Sequence, residues 1–233
     1  ITSVDQLKSN PKVEKEKFYG AMYRASFLPR VMNDVDGAYP SFSKGTPVQY
    51  APKGTNYYND LSMWDTYRAL HPLLTIIDTK RDNDMILSLL SKYEQGGWLP
   101  IFPCWNSYTA AMIGDHCISV IGDAILKDMK GFDWNKAYEA MRKNAFETPA
   151  TFDEYKNGMG RRALTSYLKY GYIPLEDSVK EAFHQCEQVS RTLEYAYDDY
   201  VLSLVARKLG KIDDEKLLSA RAMNYRNVID TRT

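Results

Sequence analysis

The stretch Ser190-Arg191-Thr192-Leu193-Glu194-Tyr195-Ala196-Tyr197-Asp198-Asp199-Tyr200-Val201-Leu202-Ser203-Leu204-Val205 decides the fold class. Val189, Leu193, Ala196, Tyr197, Tyr200, Val201, Leu204 and Val205 recur at three- and four-residue spacing, the period of a helix with an apolar face. Arg207 and Lys208 followed by Gly210 give it a basic last turn and a stop. On this helix Glu194, Asp198, Val201 and Val205 fall at i, i+4, i+7 and i+11, so two carboxylates share a stripe with apolar residues and lean toward the core. Neighbouring carboxylates repel, and burial disfavours their charged forms, so at least one pKa is expected to rise, as a general acid requires. The competing reading is that acids in the first half of a helix complement its dipole. Tyr195, Tyr197 and Tyr200 add ring faces and hydroxyls that suit carbohydrate contact as well as packing.

Outward from this helix, almost every other segment reads the same way. Helices are expected from Pro11 to about Met32, Leu61 to Asp78 with a kink at His71-Pro72, Asp82 to Tyr93, Ser107 to Lys130 interrupted at Gly114-Asp115-His116, Trp134 to Phe146, Gly160 to Tyr170, Ser178 to Leu209, and Asp213 to Val228. Between Gly37 and Asn59 lies a polar loop rich in Ser, Gly, Pro and Tyr. A small β element is allowed there, as a hairpin of Tyr50 to Tyr58 around Pro52-Lys53-Gly54. No fixed-period repeat or heptad series occurs, which leaves a helical bundle or an α/α toroid of helical hairpins as the all-α architecture.

Composition excludes several classes. The chain has 233 residues with 30 basic and 30 acidic side chains, a formal net charge of zero. Without a basic block it has no footprint for nucleic acid or an anionic membrane surface. No apolar run reaches the length of a membrane span, and no signal pattern opens the chain. The abrupt Ile1 and Thr233 ends are those expected of a piece of a longer protein. Cys104, Cys117 and Cys186 lack metal or redox spacing and are expected to pack as small hydrophobes. Eighteen tyrosines and four tryptophans favour a surface presented to a ligand, although cores also use them.

Four segments carry candidate pocket residues. In Trp64-Asp65-Thr66-Tyr67-Arg68 an indole face can stack on a sugar while Asp65 and Arg68 grip hydroxyls. The alternative is a helix start with a solvated i, i+3 ion pair. Gly96-Gly97-Trp98-Leu99-Pro100 and Cys104-Trp105-Asn106 make a Gly/Pro/Trp loop suited to a ligand mouth or to plugging a helix end. Asp115-His116, set in small and apolar residues, either polarises a substrate or satisfies its own hydrogen bonds. No nucleophile elbow, phosphate loop, His-x-x-x-His or EF-hand occurs.

Taken in order, Leu61-Ser62-Met63-Trp64-Asp65-Thr66-Tyr67-Arg68-Ala69-Leu70-His71-Pro72-Leu73-Leu74, Gly97-Trp98-Leu99-Pro100, Met112-Ile113-Gly114-Asp115-His116 and Thr192-Leu193-Glu194-Tyr195-Ala196-Tyr197-Asp198-Asp199 resemble the catalytic domain of glycoside hydrolase family 92. That resemblance implies a calcium-dependent, exo-acting, inverting α-mannosidase, of α-1,2 type, that removes terminal mannose from glycans outside the cytoplasm of a bacterium, in the periplasm or at the cell surface. It also implies an α/α toroid behind an N-terminal β-sandwich. Glu194 would be the general acid, and Trp64, Asp65, Asp115 and His116 would bind substrate.

The family's general base and most calcium ligands belong to a later acidic motif that these residues do not include. Residues 1–233 are therefore expected to be part of a toroid, without the β-sandwich and the later hairpins, and inactive alone. An exposed apolar stripe on the first and last helices is expected to follow, one that recruits a second copy or is covered by polypeptide outside these residues. The rival classes are a non-catalytic helical carbohydrate-binding or scaffold protein and another α/α-toroid sugar enzyme.

Overall fold

The computed structural model describes residues 11–177 and 185–232, and among these the chain is predominantly helical. The expected helix start at Ser178 lies outside the described residues. In order come α1 (Pro11–Ala25), β1 (Arg30–Val31), β2 (Ala38–Pro40), β3 (Val48–Tyr50) and β4 (Tyr58–Asn59). Then follow α2 (Met63–Thr66), α3 (Leu70–Ile77), α4 (Thr79–Gly96), α5 (Cys117–Leu126), α6 (Trp134–Phe146), α7 (Phe152–Lys156), α8 (Leu164–Tyr170), α9 (Gln188–Lys208) and α10 (Ile212–Arg221). A 3-10 turn over Ala222–Val228 follows α10.

Local chemistry sets the boundaries. Asp78 caps α4 by accepting from Arg81 N, and Gly97 N donates to Tyr93 O at its far end. Asp133 caps α6 through Asn135 N and Lys136 N, and Thr151 with Glu154 forms a capping box on α7. The expected helix over Leu61–Asp78 divides into α2 and α3, separated by a turn over residues 67–69 in which Ala69 leaves the helical conformation at φ −145°. Pro72 thereby falls in the first turn of α3, where its missing N–H is not needed, so no kink forms at His71-Pro72.

The small β element differs from expectation. Tyr50 pairs with Ala38 and Tyr58 with Val31, giving two separate antiparallel ribbons, β2–β3 and β1–β4. The first helix ends at Ala25 because the residues after Pro29 are recruited as the partner of Tyr58–Asn59. The stretch from Ser107 to His116 is also not helical: Arg162 donates to the carbonyls of Ala110 and Met112, and Asp115 N donates to Asp198. Those bonds replace the helical ladder.

The main core gathers Ile86, Leu89 and Leu90 of α4, Ile118, Ile121 and Ile125 of α5, Ala137 and Met141 of α6, and Leu202 and Val205 of α9. Helices α5 and α9 approach closely at Gly122, where an added Cβ would meet Val201 Cγ1 at 2.5 Å. Helix α9 does not bury the face its apolar period predicts. Val189, Leu193, Tyr197 and Tyr200 are exposed, whereas Arg191, Thr192, Tyr195, Asp198, Asp199 and Ser203 are buried with Val201, Leu202 and Val205. The buried stripe is rich in polar side chains because partners from other segments meet them there. Phe18, Tyr19 and Tyr23 of α1 and Leu217 of α10 are exposed.

Candidate active site

The cluster forms where α2, the segment leading into α5, and α9 meet. Trp64 Nε1 donates to Glu194 Oε1 at 2.9 Å, and the Arg68 guanidinium lies 3.6 Å from the same oxygen. Arg68 also stacks over the Trp64 ring, 4.6 Å from its centroid, and its Nε donates to Trp64 O. His116 Nε2 sits 3.2 Å from Glu194 Oε2, and His116 Nδ1 sits 3.0 Å from Asp198 Oδ1. One imidazole therefore bridges two carboxylates one turn apart on α9.

Asp198 is sealed on all sides. It accepts from Asp115 N at 2.8 Å and Ser119 Oγ at 2.8 Å in addition to His116. Tyr67 stacks on the imidazole at 4.3 Å with an interplanar angle of 15°. Gly114, at φ +81°, leaves the space the imidazole needs, since a Cβ there would meet His116 Nε2 at 2.4 Å. The Gly-Asp-His order of the sequence is thus a backbone device: a left-handed residue, a buried acid, then the bridging base.

Behind the cluster lies a second layer. Asp115 accepts from Arg161 Nε at 2.9 Å and Asn144 Nδ2 at 3.0 Å. Arg161 Nη1 donates to Asp199 Oδ1 at 2.6 Å, and Arg221 donates to both oxygens of Asp199. Asp115, His116, Arg161, Asp198 and Asp199 are all essentially inaccessible to solvent, whereas 18% of the Glu194 side chain is exposed. A groove of about 310 Å³, lined in part by Tyr67, Arg68, Ser119, Asp123, Tyr197 and Tyr200, opens beside the cluster.

Ionisation follows from this geometry. Burial alone would push Glu194 and Asp198 up, but the protonated His116 between them outweighs it and holds both below the usual carboxylate range. Burial likewise opposes charge on His116, yet Asp198 and then Glu194 raise it to about 9. The expected pKa rise within the Glu194/Asp198 pair does not occur, because a cation sits between the two acids. The carboxyl raised above its ordinary value is Asp115, through burial, against the pull of Arg161.

Of the residues singled out in the sequence, Trp64 and His116 both meet Glu194, and Asp115 joins them through the Asp198 carboxylate. Asp65 does not join them: it is exposed and accepts from Ser62 Oγ, while Arg68, its suggested partner, turns to Glu194. Asp115 and His116 are buried; His116 meets Glu194 directly, and Asp115 supports it through Asp198. Sequence reading missed Ser119, Asn144 and Arg161 altogether, since none of them falls on a periodic pattern. Among the described residues no group of three or more His, Cys, Asp or Glu side chains could hold a metal ion. The carboxylates of the cluster are instead engaged by Arg161, Arg221 and His116.

Residues 3–233 match the family model of the glycosyl hydrolase family 92 catalytic domain. A family GH92 α-mannosidase from Bacteroides thetaiotaomicron, also solved in complex with mannoimidazole, superposes with a TM-score of 0.80 at 36% identity, covering 93% of this chain and 27% of that one. An inverting mannosidase of the same family from the same species superposes with a TM-score of 0.78 at 30% identity, covering 90% of this chain and 27% of its own. A protein of Arthroderma benhamiae described as an uncharacterized secreted glycosidase is 34% identical over 149 residues, 62% of this chain and 18% of that protein. The chain thus spans about a quarter of the solved relatives and less than a fifth of the curated one.

Proposed function

Because the chain belongs to the glycosyl hydrolase family 92 catalytic domain, we propose that it is part of the toroid of an inverting, exo-acting α-mannosidase. In this reading Glu194 is the general acid. The observation that carries the reading is that Glu194 is held from both sides, by Trp64 and Arg68 on one oxygen and by His116 on the other, and is the partly exposed carboxyl beside three sealed ones. Mannose-capped glycans are the proposed substrates, with α-1,2 linkages, in keeping with a mannosidase relative that binds mannoimidazole. We place the enzyme outside the cytoplasm, as the description of its fungal relative suggests. Calcium, where the parent protein binds it, is assigned to residues other than those described.

The proton has a definite store. Glu194, His116 and Asp198 together hold one proton between two carboxylates, and it rests on the imidazole. A sugar seated over Glu194 displaces water and disfavours the bare carboxylate, which draws that proton toward Glu194. Glu194 then gives a hydrogen to the glycosidic oxygen as the bond to the anomeric carbon breaks and its electron pair goes to oxygen. Asp198 stays ionised throughout, held by Ser119 Oγ and Asp115 N.

Inversion needs a base on the opposite face, about 6.5–9.5 Å from the acid. Asp198 and Asp199 do not qualify, since both are buried in ion pairs on the acid's own helix. Trp64 and Arg68 contact the sugar that Glu194 serves. Asp65, exposed on the same short helix, is a further contact to substrate hydroxyls in this reading, and Asp115 and His116 act through Glu194.

The test is Glu194→Gln in the protein that carries this chain. Proton donation contributes typically about 10²–10⁴-fold, so the rate on a mannose disaccharide should fall by that factor. The rate on an aryl mannoside with an activated leaving group should fall far less. Equal slowing of both substrates removes Glu194 from the acid role.

A further inference from the structure

The cluster around Glu194 leaves one conspicuous side chain unexplained. Trp105 is 84% exposed, the highest value of any tryptophan in the chain. Its backbone lies at φ +50°, and the next residue, Asn106, lies at +55°. Cys104 and Ser107 pair on either side, each N–H donating to the other's carbonyl at 3.1 and 3.0 Å. Trp105-Asn106 is therefore the tip of a two-residue turn with both central residues left-handed, a geometry that favours Asn, Asp or Gly at the first position.

The turn is fixed by its surroundings and not by the indole. Asn106 Nδ2 donates to Pro40 O at 2.7 Å and Ser41 O at 3.2 Å, and Tyr57 Oη donates to Asn106 Oδ1 at 2.9 Å. Asn106 O accepts from Ser43 N at 2.8 Å. Trp105 N donates to Asp60 Oδ1 at 3.3 Å, and Arg30 Nε donates to Asp60 Oδ2 at 2.7 Å. Asp60 is itself left-handed, at φ +57°. Three adjoining non-glycine residues in this region, over-determined by hydrogen bonds, mark a place where the fold is held against local preference.

Holding a tryptophan there benefits neither packing nor the turn. The indole is left in solvent, and a smaller residue would suit the backbone better. What the arrangement does produce is an exposed indole on a fixed turn, anchored by the same Asp60 that holds the exposed Arg30 guanidinium. It stands on Asp60, four residues before the Trp64 that binds Glu194. An aromatic plane with an adjacent charged donor is suited to the apolar face and hydroxyls of a pyranose ring.

We propose that Trp105, with Arg30 held on the same Asp60 carboxylate, is a second carbohydrate subsite that stacks on a sugar of the glycan removed from the residue at Glu194. The choice of a mannose-containing glycan rests on the mannosidase reading above; the platform itself rests on the turn.

The experiment follows the four indole N–H resonances of the 15N-labelled chain, with Trp105 assigned from Trp105→Phe. An α-linked mannotriose should shift the Trp105 resonance in a saturable manner, in the wild type and in Glu194→Gln alike. Methyl α-mannoside should shift it less at the same concentration. Trp105→Asn should abolish the mannotriose-dependent shift of the Arg30 Nε–H resonance that the wild type shows and, by relieving the turn, raise the melting temperature by about 2–4 °C. A Trp105 resonance unmoved by mannotriose, whatever Trp64 does, overturns the subsite. A lowered melting temperature in Trp105→Asn also overturns it, because the indole would then be packed and not presented. An equal shift with a gluco-configured trisaccharide upholds the platform but counts against the mannosidase reading, so the two fail separately.

Discussion

Replacing Asp198 by Asn tests the charge logic of the cluster directly. The variant keeps the shape of the side chain but removes the anion that faces His116 Nδ1 at 3.0 Å. In the folded chain His116 is raised from 6.5 to about 9, and 1.36 kcal/mol per pH unit makes this about 3 kcal/mol of stabilisation. The folded state binds the imidazole proton more tightly than the unfolded state does. The contribution is therefore complete below about pH 6.5, declines as the pH rises, and is gone above about pH 9. Asp198 works in the opposite sense, since its folded pKa is depressed: its contribution is present above its ordinary value of 3.8 and is lost as the pH falls below it. In Asp198→Asn burial dominates at His116, with only Glu194 left to oppose it, and the imidazole pKa should drop by a unit or more. Urea unfolding of both proteins should then give a stability difference larger at about pH 6 than at about pH 10, by as much as about 3 kcal/mol. The chain has three histidines, so the Cε1–H resonances can be assigned and the titration of His116 read in parallel. A stability difference independent of pH, or a wild-type His116 that titrates at its ordinary value, would refute the reasoning.

Arg161→Met should lower stability by about 3–5 kcal/mol, because it strands Asp115 in the interior without its cation while Asp199 keeps only Arg221 of its two; chemical denaturation measures this, and a loss under about 1 kcal/mol would show that water replaces the guanidinium. Gly122→Ala should cost about 1–3 kcal/mol by driving a methyl group into Val201, and most of the loss should return in the double variant with Val201→Ala. If the two changes add without recovery, the close approach of α5 and α9 is not the cause. Together with Glu194→Gln and Trp105→Asn, these substitutions address the acid, the distal platform, the buried charges and the helix contact separately.

The all-α class was legible because the helical period is local and repeated. The resemblance to family 92, carried by four short blocks, pointed to the residues that meet at Glu194. What could not be read was the facing of α9. Leu193, Tyr197 and Tyr200 follow the apolar period but lie outward, while Arg191, Asp198 and Asp199 lie inward. A charged residue turns inward only if its counter-charge arrives from elsewhere, and Arg161, Arg221 and His116 come from segments that no spacing connects to α9. The depressed pKa of Glu194 was missed for the same reason: the repulsion of Glu194 and Asp198 is visible at i, i+4, but the imidazole that reverses it stands 78 residues before Glu194 in sequence. Asp65 shows the converse, since its place beside Trp64 in the chain carries no information about the direction its side chain takes.

Arg161 has a consequence for how the molecule comes into being. Its guanidinium faces Asp115 on one side and Asp199 on the other, with none of the three in contact with solvent. Each of these ions gives up its hydration on folding; Arg161 is compensated by both acids, Asp115 by Arg161, and Asp199 by Arg161 together with Arg221. A chain that seated α9 before the loop at Arg161 would bury Asp115 without its cation and Asp199 with one of its two, and one that seated the loop first would bury a bare cation. Neither half-assembled state is favourable, so the last segments must dock together. The charged layer behind Asp198, which orients His116 and through it Glu194, is thus set in the same cooperative event that completes the fold, and a partly unfolded chain should possess no weakened version of the site.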